Sequence, residues 1–577
     1  MVFGKHLNKY YLKYWYLFLL GILALIAVDY AQLMIPDIIQ QIIDTPFEWS
    51  FLLRQCGYIV AIAFSMFLGR ILWRITILRA GFYIEADLRK EMFLHSEKCS
   101  AHFYQENKTG ALMALYTNDL ESIQENLSFG TINVIDIVFL GGLAIYKMLR
   151  LNWILGLLAL IPMTILMLFG IFVGRYFDIK YDIRQKAYDS LSDFSQENFT
   201  GFSVIKAFVK ELQEKKEFAR LNEKNRCANI DYVRFGAIFD TAIDLLTYSV
   251  VITTILVGGY FATHQSNISA GQLAQFLGYF DTLIWPILAV GNLINIRSRC
   301  KVSLKRVSEL LDSPIEIHNA SQTISPQWKG NIVWKDFSFS YPQKEMEVLS
   351  HINMSIQAGE TIGIVGKIGS GKTTLVSLLL HLYNIERGHL FLDGVDLMDI
   401  PLYELREHIG YCPQDNFIFS DTIKNNINFA DKNYPFEKTQ RATRFADLEE
   451  NILAFPQQYD TPVAEHGVTL SGGQKQRVSI ARAVIKDPTI LILDDSVSAV
   501  DIKTEQIILQ HIQEERKGKT TLIIASRVST VKDLDKIAVL RHGKLEAFGS
   551  HESLMETSKT YRHMVELQQL EKEVEEL

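Results

Sequence analysis

The chain has 577 residues, 48% of them hydrophobic and 21% charged, with a formal net charge of −7. That length exceeds one ordinary domain, and the mildly acidic balance gives no support for nucleic-acid binding, which would favour a basic face. Five cysteines, Cys56, Cys99, Cys227, Cys300 and Cys412, are odd in number and form no CxxC pair, so neither a metal site nor a disulfide framework follows.

The first half is dominated by apolar stretches. A bilayer-crossing helix needs about 20 mostly apolar residues, and six segments qualify: 14–35, 56–77, 127–149, 151–173, 245–262 and 273–296. The first is too long for a signal peptide, and Asp29 and Gln32 stand where a small-residue cleavage site belongs. Spans 1/2, 3/4 and 5/6 are joined by short loops, whereas charged excursions at 78–126 and 174–240 separate the others. Arg79, Arg89, Lys90, Lys98 and Lys108 lie in the first excursion. Arg175, Lys180, Arg184, Lys186, Lys206 and Lys210 lie in the second. The positive-inside rule places both, and the Lys5–Lys13 start, in the cytoplasm. Lys147 and Arg150 then fall in an outward loop, an exception that the other cations outweigh.

A linker at 312–330 with Pro314 and Pro326 ends the apolar half. Alternation over 332–339 predicts a strand, and the short apolar run 361–365 predicts a buried one. That run enters Gly366-Lys367-Ile368-Gly369-Ser370-Gly371-Lys372-Thr373, which fits GxxxxGK[ST], and 374–380 reads as the following helix. Strand, glycine loop and helix together make a phosphate cradle, because backbone N–H groups wrap the oxygens and lysine neutralises their charge. Further on stands Leu470-Ser471-Gly472-Gly473-Gln474.

With both motifs in this order, the chain resembles the ABC transporter family from end to end, and more narrowly its type I (type IV fold) exporters. The resemblance implies a membrane α-helical bundle of six transmembrane helices at 1–311, fused to an α/β P-loop ATPase domain at 331–567, with an acidic tail at 568–577. It implies ATP and Mg²⁺ as ligands. Tyr341 is the position on which adenine stacks, with a strand-edge aromatic as the plainer reading. Gly366 to Thr374 cradle the phosphates, while Thr373, Gln414 and Asp494 meet the metal. Ser471, Gly472, Gly473 and Gln474 serve the ATP of a partner, and Ser498-Ala-Val-Asp501 joins the two sites. Coupling helices are expected near 103–110 and 197–204.

Two catalytic positions depart from the family pattern. Asp495 replaces the glutamate that polarises water, and Ser526 replaces the switch histidine. Aspartate is one methylene shorter, and serine has no ring to bridge phosphate and base. Each change alone is compatible with drift. The pair predicts impaired hydrolysis on a site that still binds nucleotide. The intact signature then serves a non-identical second half-transporter, as in the degenerate-site subunit of heterodimeric bacterial multidrug exporters.

A small amphipathic substrate moved across a plasma membrane, with the ATPase domain in the cytoplasm, is the expectation. A homodimeric lipid or lipid-linked flippase and a peptide exporter are the alternatives; no peptidase-like extension precedes the first span. The six spans exclude a soluble DNA-associated ATPase, and a channel-gating role lacks a long regulatory insertion. Asp29, Asp136, Asp244 and Asp281, within or near the spans, are candidates for attracting cations or for pairing inside the bundle. Phe139, Tyr248, Phe276 and Trp285 are candidates for lining a cavity or for packing.

Overall fold

The computed structural model describes residues 4–264, 268–342, 344, 346–463, 470–497 and 500–575. It divides into two compact units. One comprises Met1–Glu97 and Thr109–Ser313, the other Lys98–Lys108 and Pro314–Leu577.

The first unit is built from long helices: α1 (Asn8–Asp44), α2 (Trp49–Ser96) and, beyond the short α3 (Ala101–Glu106) of the second unit, α4 (Thr109–Leu151). There follow α5 (Trp153–Thr200), the short α6 (Phe202–Ala207), α7 (Glu211–His264) and α8 (Ala270–Leu311). Among the described residues α1, α2, α4, α7 and α8 are long and apolar enough to cross a bilayer. The sixth predicted span falls in α5, whose described apolar stretch is Trp153–Ile165. That helix begins two residues later than expected because Asn152 caps it, accepting from the N–H groups of Ile154 and Leu155 at 3.0 Å. Leu19, Leu23 and Phe64 stand exposed on α1 and α2, an arrangement that suits hydrocarbon and not water. The short α3 and α6 overlap the segments 103–110 and 197–204 in part, the first at 103–106 and the second at 202–204.

Polar contacts join the helix ends. Asp44 accepts from Ser269 Oγ at 2.6 Å and Gly271 N at 2.9 Å, and Ser269 caps α8 in a box with Gln272. The exception to the charge rule is balanced locally. Lys147 Nζ lies 2.6 Å from Asp37 Oδ2 and donates to the Leu33 carbonyl at 3.0 Å, while Gln275 and Tyr279 donate to the other Asp37 oxygen. Along α4 the coil widens into π-turns at Leu115–Asp119, Asn126–Gly130 and Asp136–Gly141.

The second unit carries two sheets. One is antiparallel with strand order β2-β1-β4-β5, from β1 (Ile332–Phe339), β2 (Leu349–Ile356), β4 (Leu390–Leu392) and β5 (Val395–Asp396). The other has order β10-β9-β3-β8-β7-β6. In it β3 (Thr361–Gly366), β6 (Ile409–Cys412), β7 (Ile490–Asp494), β8 (Thr520–Ile524) and β9 (Lys536–Arg541) run parallel, and β10 (Lys544–Gly549) is the antiparallel edge. The parallel strands β7 and β8 are buried throughout, as strands covered on both faces must be. Within this unit α3 lies against the ATPase core: Ala101 packs on its hydrophobic cluster, and Gln105 Nε2 donates to the Tyr383 hydroxyl at 2.8 Å.

Candidate nucleotide site

Parallel strands present their carboxyl ends together, and loops leaving that edge are the usual place for a ligand. Here β3 ends in the glycine loop, β7 ends at Asp494, β8 runs into Ser526 and β6 leads to Gln414. The register keeps these ends level, with Cys412 opposite Leu493 and Asp494 opposite Ile524. Backbone bonds extend the match, since Asp495 N donates to Ile524 O at 3.0 Å and Ala525 N to Ile364 O at 3.1 Å.

The loop that follows β3 is shaped by what it lacks. A Cβ on Gly366 would lie 2.3 Å from Leu540 O and 2.7 Å from Ser370 Oγ. Gly371 enters the helix α9 (Lys372–Ser377) at φ +94°, a left-handed conformation that only glycine adopts freely. Ser370 Oγ is buried and has no hydrogen-bond partner, which fits a ligand oxygen. Lys372 Nζ is pinned to its own loop by the carbonyls of Gly366 at 2.8 Å and Lys367 at 3.1 Å. Lys367 and Gly369 belong to the same turn, and Ile368 at its tip is fully exposed.

Electrostatics favour a polyanion with a divalent cation. Burial draws the Lys372 ammonium below its ordinary pKa, against the pull of Asp495 and Asp494. Burial likewise holds the Asp494 carboxyl above the usual carboxylate range, with Asp495 adding to the effect and Thr373, Tyr411 and Lys372 opposing it. Both groups therefore gain from a counter-charge. Thr373 Oγ1 donates to Asp494 Oδ1 at 3.2 Å and Tyr411 OH to Asp494 Oδ2 at 3.4 Å, so hydroxyl and carboxylate already converge as oxygen ligands. Gln414 is exposed two residues beyond β6. Tyr341 shares a hydrogen bond of 2.9 Å with Thr374 Oγ1 and stands edge-on to Phe339 and Tyr383, with ring centroids 5.2 and 5.1 Å away. Its ring is thus fixed beside the residue that follows Thr373.

The two departures from the family pattern touch each other. Asp495 adopts φ +46°, and its Oδ1 accepts from Ser526 Oγ at 3.3 Å and Ser526 N at 3.4 Å. Ser471 caps the signature helix α10 (Gly472–Val484) in a box with Gln474. From the same helix, Gln476 Nε2 reaches Asp495 O at 3.4 Å. Ser498 and Ala499 of the joining loop lie outside the described residues.

Tyr411, Gln476 and Gln568 join the site without having been singled out from sequence. The terminal helix α11 (Lys559–Glu575) runs through the boundary expected at residue 568. Gln568 accepts from Val528 N at 2.7 Å and donates to Ser526 O at 3.1 Å, holding the switch segment from both sides. Nothing local in a helical glutamine signals that role.

Comparison with known proteins agrees with this geometry. Residues 18–287 match the family described as ABC transporter transmembrane region, and residues 349–498 match ABC transporter. The chain is 33% identical over 574 residues to "Probable multidrug resistance ABC transporter ATP-binding/permease protein YheI" of Bacillus subtilis strain 168, covering 98% of this chain and 97% of that protein. It is 31% identical to "Multidrug resistance-like ATP-binding protein MdlA" of Escherichia coli K12, covering 98% and 96%. Among solved structures, a bacterial Atm1-family ABC exporter with ATP bound shares the fold, with a TM-score of 0.75 at 24% identity over 97% of this chain and 98% of that one. The chain belongs to the ABC transporter family, as a multi-pass membrane exporter whose nucleotide-binding ATPase domain is fused to its membrane helices.

Proposed function

We propose that this chain is the degenerate-site half of a heterodimeric exporter of amphipathic compounds, paired with a non-identical half that owns the competent catalytic groups. The contact between Asp495 and Ser526 carries the reading. A shortened carboxylate held toward a serine, where a base and a ring are needed, leaves a site suited to holding Mg·ATP and poor at cleaving it. The glycine loop, Lys372, Thr373 and Asp494 remain complete. Thr373, Gln414 and Asp494 are the residues that would hold Mg²⁺, which when bound neutralises charge on the phosphate oxygens.

The capped signature at Ser471 supports the other half of the argument. In this family it faces the partner's nucleotide, so an undamaged signature beside a damaged base makes sense when productive hydrolysis occurs on the partner's loop. ATP favours the closed arrangement because it binds that state better, and the membrane helices switch with it. The printed names of the relatives, multidrug resistance proteins among them, support drugs as the cargo.

The test is co-purification from the native host, followed by ATP-dependent dye uptake into inverted vesicles. A second, non-identical ABC chain and transport by the pair are expected. Brisk ATP turnover by the isolated chain as a homodimer would overturn the heterodimer and favour the homodimeric flippase instead.

A further inference from the structure

Ser526 and Arg527 lie between the end of β8 at Ile524 and a single tight helical turn at Val528–Thr530. Both are exposed, while Ala525 and Val528 on either side are buried. Burial therefore pins the flanks and leaves the position of Ser526 to hydrogen bonds. The Ser526 N–H and hydroxyl donate to Asp495 Oδ1 at 3.4 and 3.3 Å, and the Ser526 carbonyl accepts from Gln568 Nε2 at 3.1 Å. Gln568 Oε1 accepts from Val528 N at 2.7 Å, so one side-chain amide grips the backbone on both sides of Arg527. Only an amide offers the donor and the acceptor together at that reach.

The helix that carries this amide is anchored. Tyr561, fully buried, and the half-buried Met564 and Val565 of α11 pack on the hydrophobic cluster that also contains Val528 and Val531. These positions are three and four residues apart, and Gln568, seven beyond Tyr561, continues the same face. The two ends of the switch segment are fixed separately. Ala525 N donates to Ile364 O at 3.1 Å, which sets the segment beside β3 and its glycine loop. Thr530 Oγ1 donates to the buried Glu505 carboxylate on the helix Ile502–Glu515. Between these anchors stands the Gln568 clasp. We propose that Gln568 is a positioning residue for the terminal-phosphate end of the nucleotide site, through which α11 sets the preference of this site for ATP over ADP. In this family the switch position meets the terminal phosphate, so a segment that is no longer clasped forfeits contacts that ATP makes and ADP does not. Gln568 acts through Ser526 and needs no contact with nucleotide.

This inference rests on the part of the proposed function in which the site holds Mg·ATP, and not on the identity of the partner chain. The test compares Mg·adenylyl-imidodiphosphate, which keeps a terminal phosphate and resists cleavage, with Mg·ADP, each titrated by calorimetry into the full-length purified chain. Gln568→Ala, and Gln568→Met, which keeps the bulk and removes both hydrogen bonds, should weaken the triphosphate analogue about fivefold and change ADP affinity by less than about twofold. Gln568→Glu keeps the acceptor for Val528 N but sets a carboxylate oxygen against the Ser526 carbonyl, and should lose the same preference. Amide hydrogen exchange at Val528 should quicken in the Ala and Met variants and less in the Glu variant. Gln569→Ala, at the exposed neighbour on the same helix, should leave preference and exchange unchanged. Equal weakening of both nucleotides would mark Gln568 as a support of the fold alone and overturn the inference, as would an undiminished preference in all three Gln568 variants. Wild-type protein that binds neither nucleotide overturns the Mg·ATP reading as well.

Discussion

Restoring the family's two catalytic side chains should revive the site built around Lys372. Asp495 Oδ1 lies 3.3 Å from the Ser526 hydroxyl. Glutamate would carry the carboxylate about 1.5 Å further, and misplacement of about 1 Å can cost on the order of a hundredfold in rate. That factor corresponds to about 2.7 kcal/mol of barrier. Asp495→Glu alone should gain little, less than about tenfold, since nothing then links base and γ-phosphate. Asp495→Glu with Ser526→His should raise turnover about a hundredfold over the wild type. The assay is steady-state ATPase on the purified chain, with nucleotide affinity measured separately so that a change in binding is not read as catalysis. Fast wild-type turnover that Asp495→Asn leaves untouched would refute the argument.

Other expectations follow from the same unit. Gly366→Ala drives a methyl to 2.3 Å from Leu540 O, and should cost about 1–3 kcal/mol of stability together with nucleotide retention, read by thermal melting with and without Mg·ATP. Because burial raises the Asp494 carboxyl, Mg²⁺-dependent nucleotide retention should fail on acidification at a higher pH than an ordinary aspartate would set. Over that interval the folded state holds a proton that the unfolded chain lacks, so this group stabilises the fold as pH drops and the contribution is lost as pH rises through the folded pKa. Asp494→Asn should remove the acid limb in a binding titration. Tyr383→Phe deletes the hydroxyl that accepts from Gln105, and should weaken drug-stimulated ATPase while leaving nucleotide affinity unchanged.

Much of the ATPase site is legible in the chain because its parts are local. The run 361–365 and the loop after it are contiguous, and strand, turn and helix follow from apolar pattern and glycine spacing alone. The spans are legible for a similar reason, but the helices run on past their apolar stretches, which hydropathy alone does not mark, and Asn152 sets where α5 begins. What stays hidden is pairing across distance. Burial is hidden too: Asp29, Asp136, Asp244 and Asp281 look equally suspect in sequence, and only packing shows the first two buried and the last two exposed. The partner of Lys147 is hidden in the same way, since Asp37 lies on another helix 110 residues earlier. The Gln568 clasp on the switch segment spans 42 residues and rests on backbone atoms, which carry no sequence signal.

The eleven residues Lys98–Lys108 belong by packing to the unit that otherwise begins at Pro314. On a translating ribosome they emerge about 200 residues ahead of their companions, a wait of roughly 10–40 s at ordinary elongation rates. Neither product of a cut at the linker would therefore be whole: the released C-terminal fragment would lack the piece that meets Tyr383. Supplying a peptide of 98–108 in trans is the natural way to make that fragment soluble.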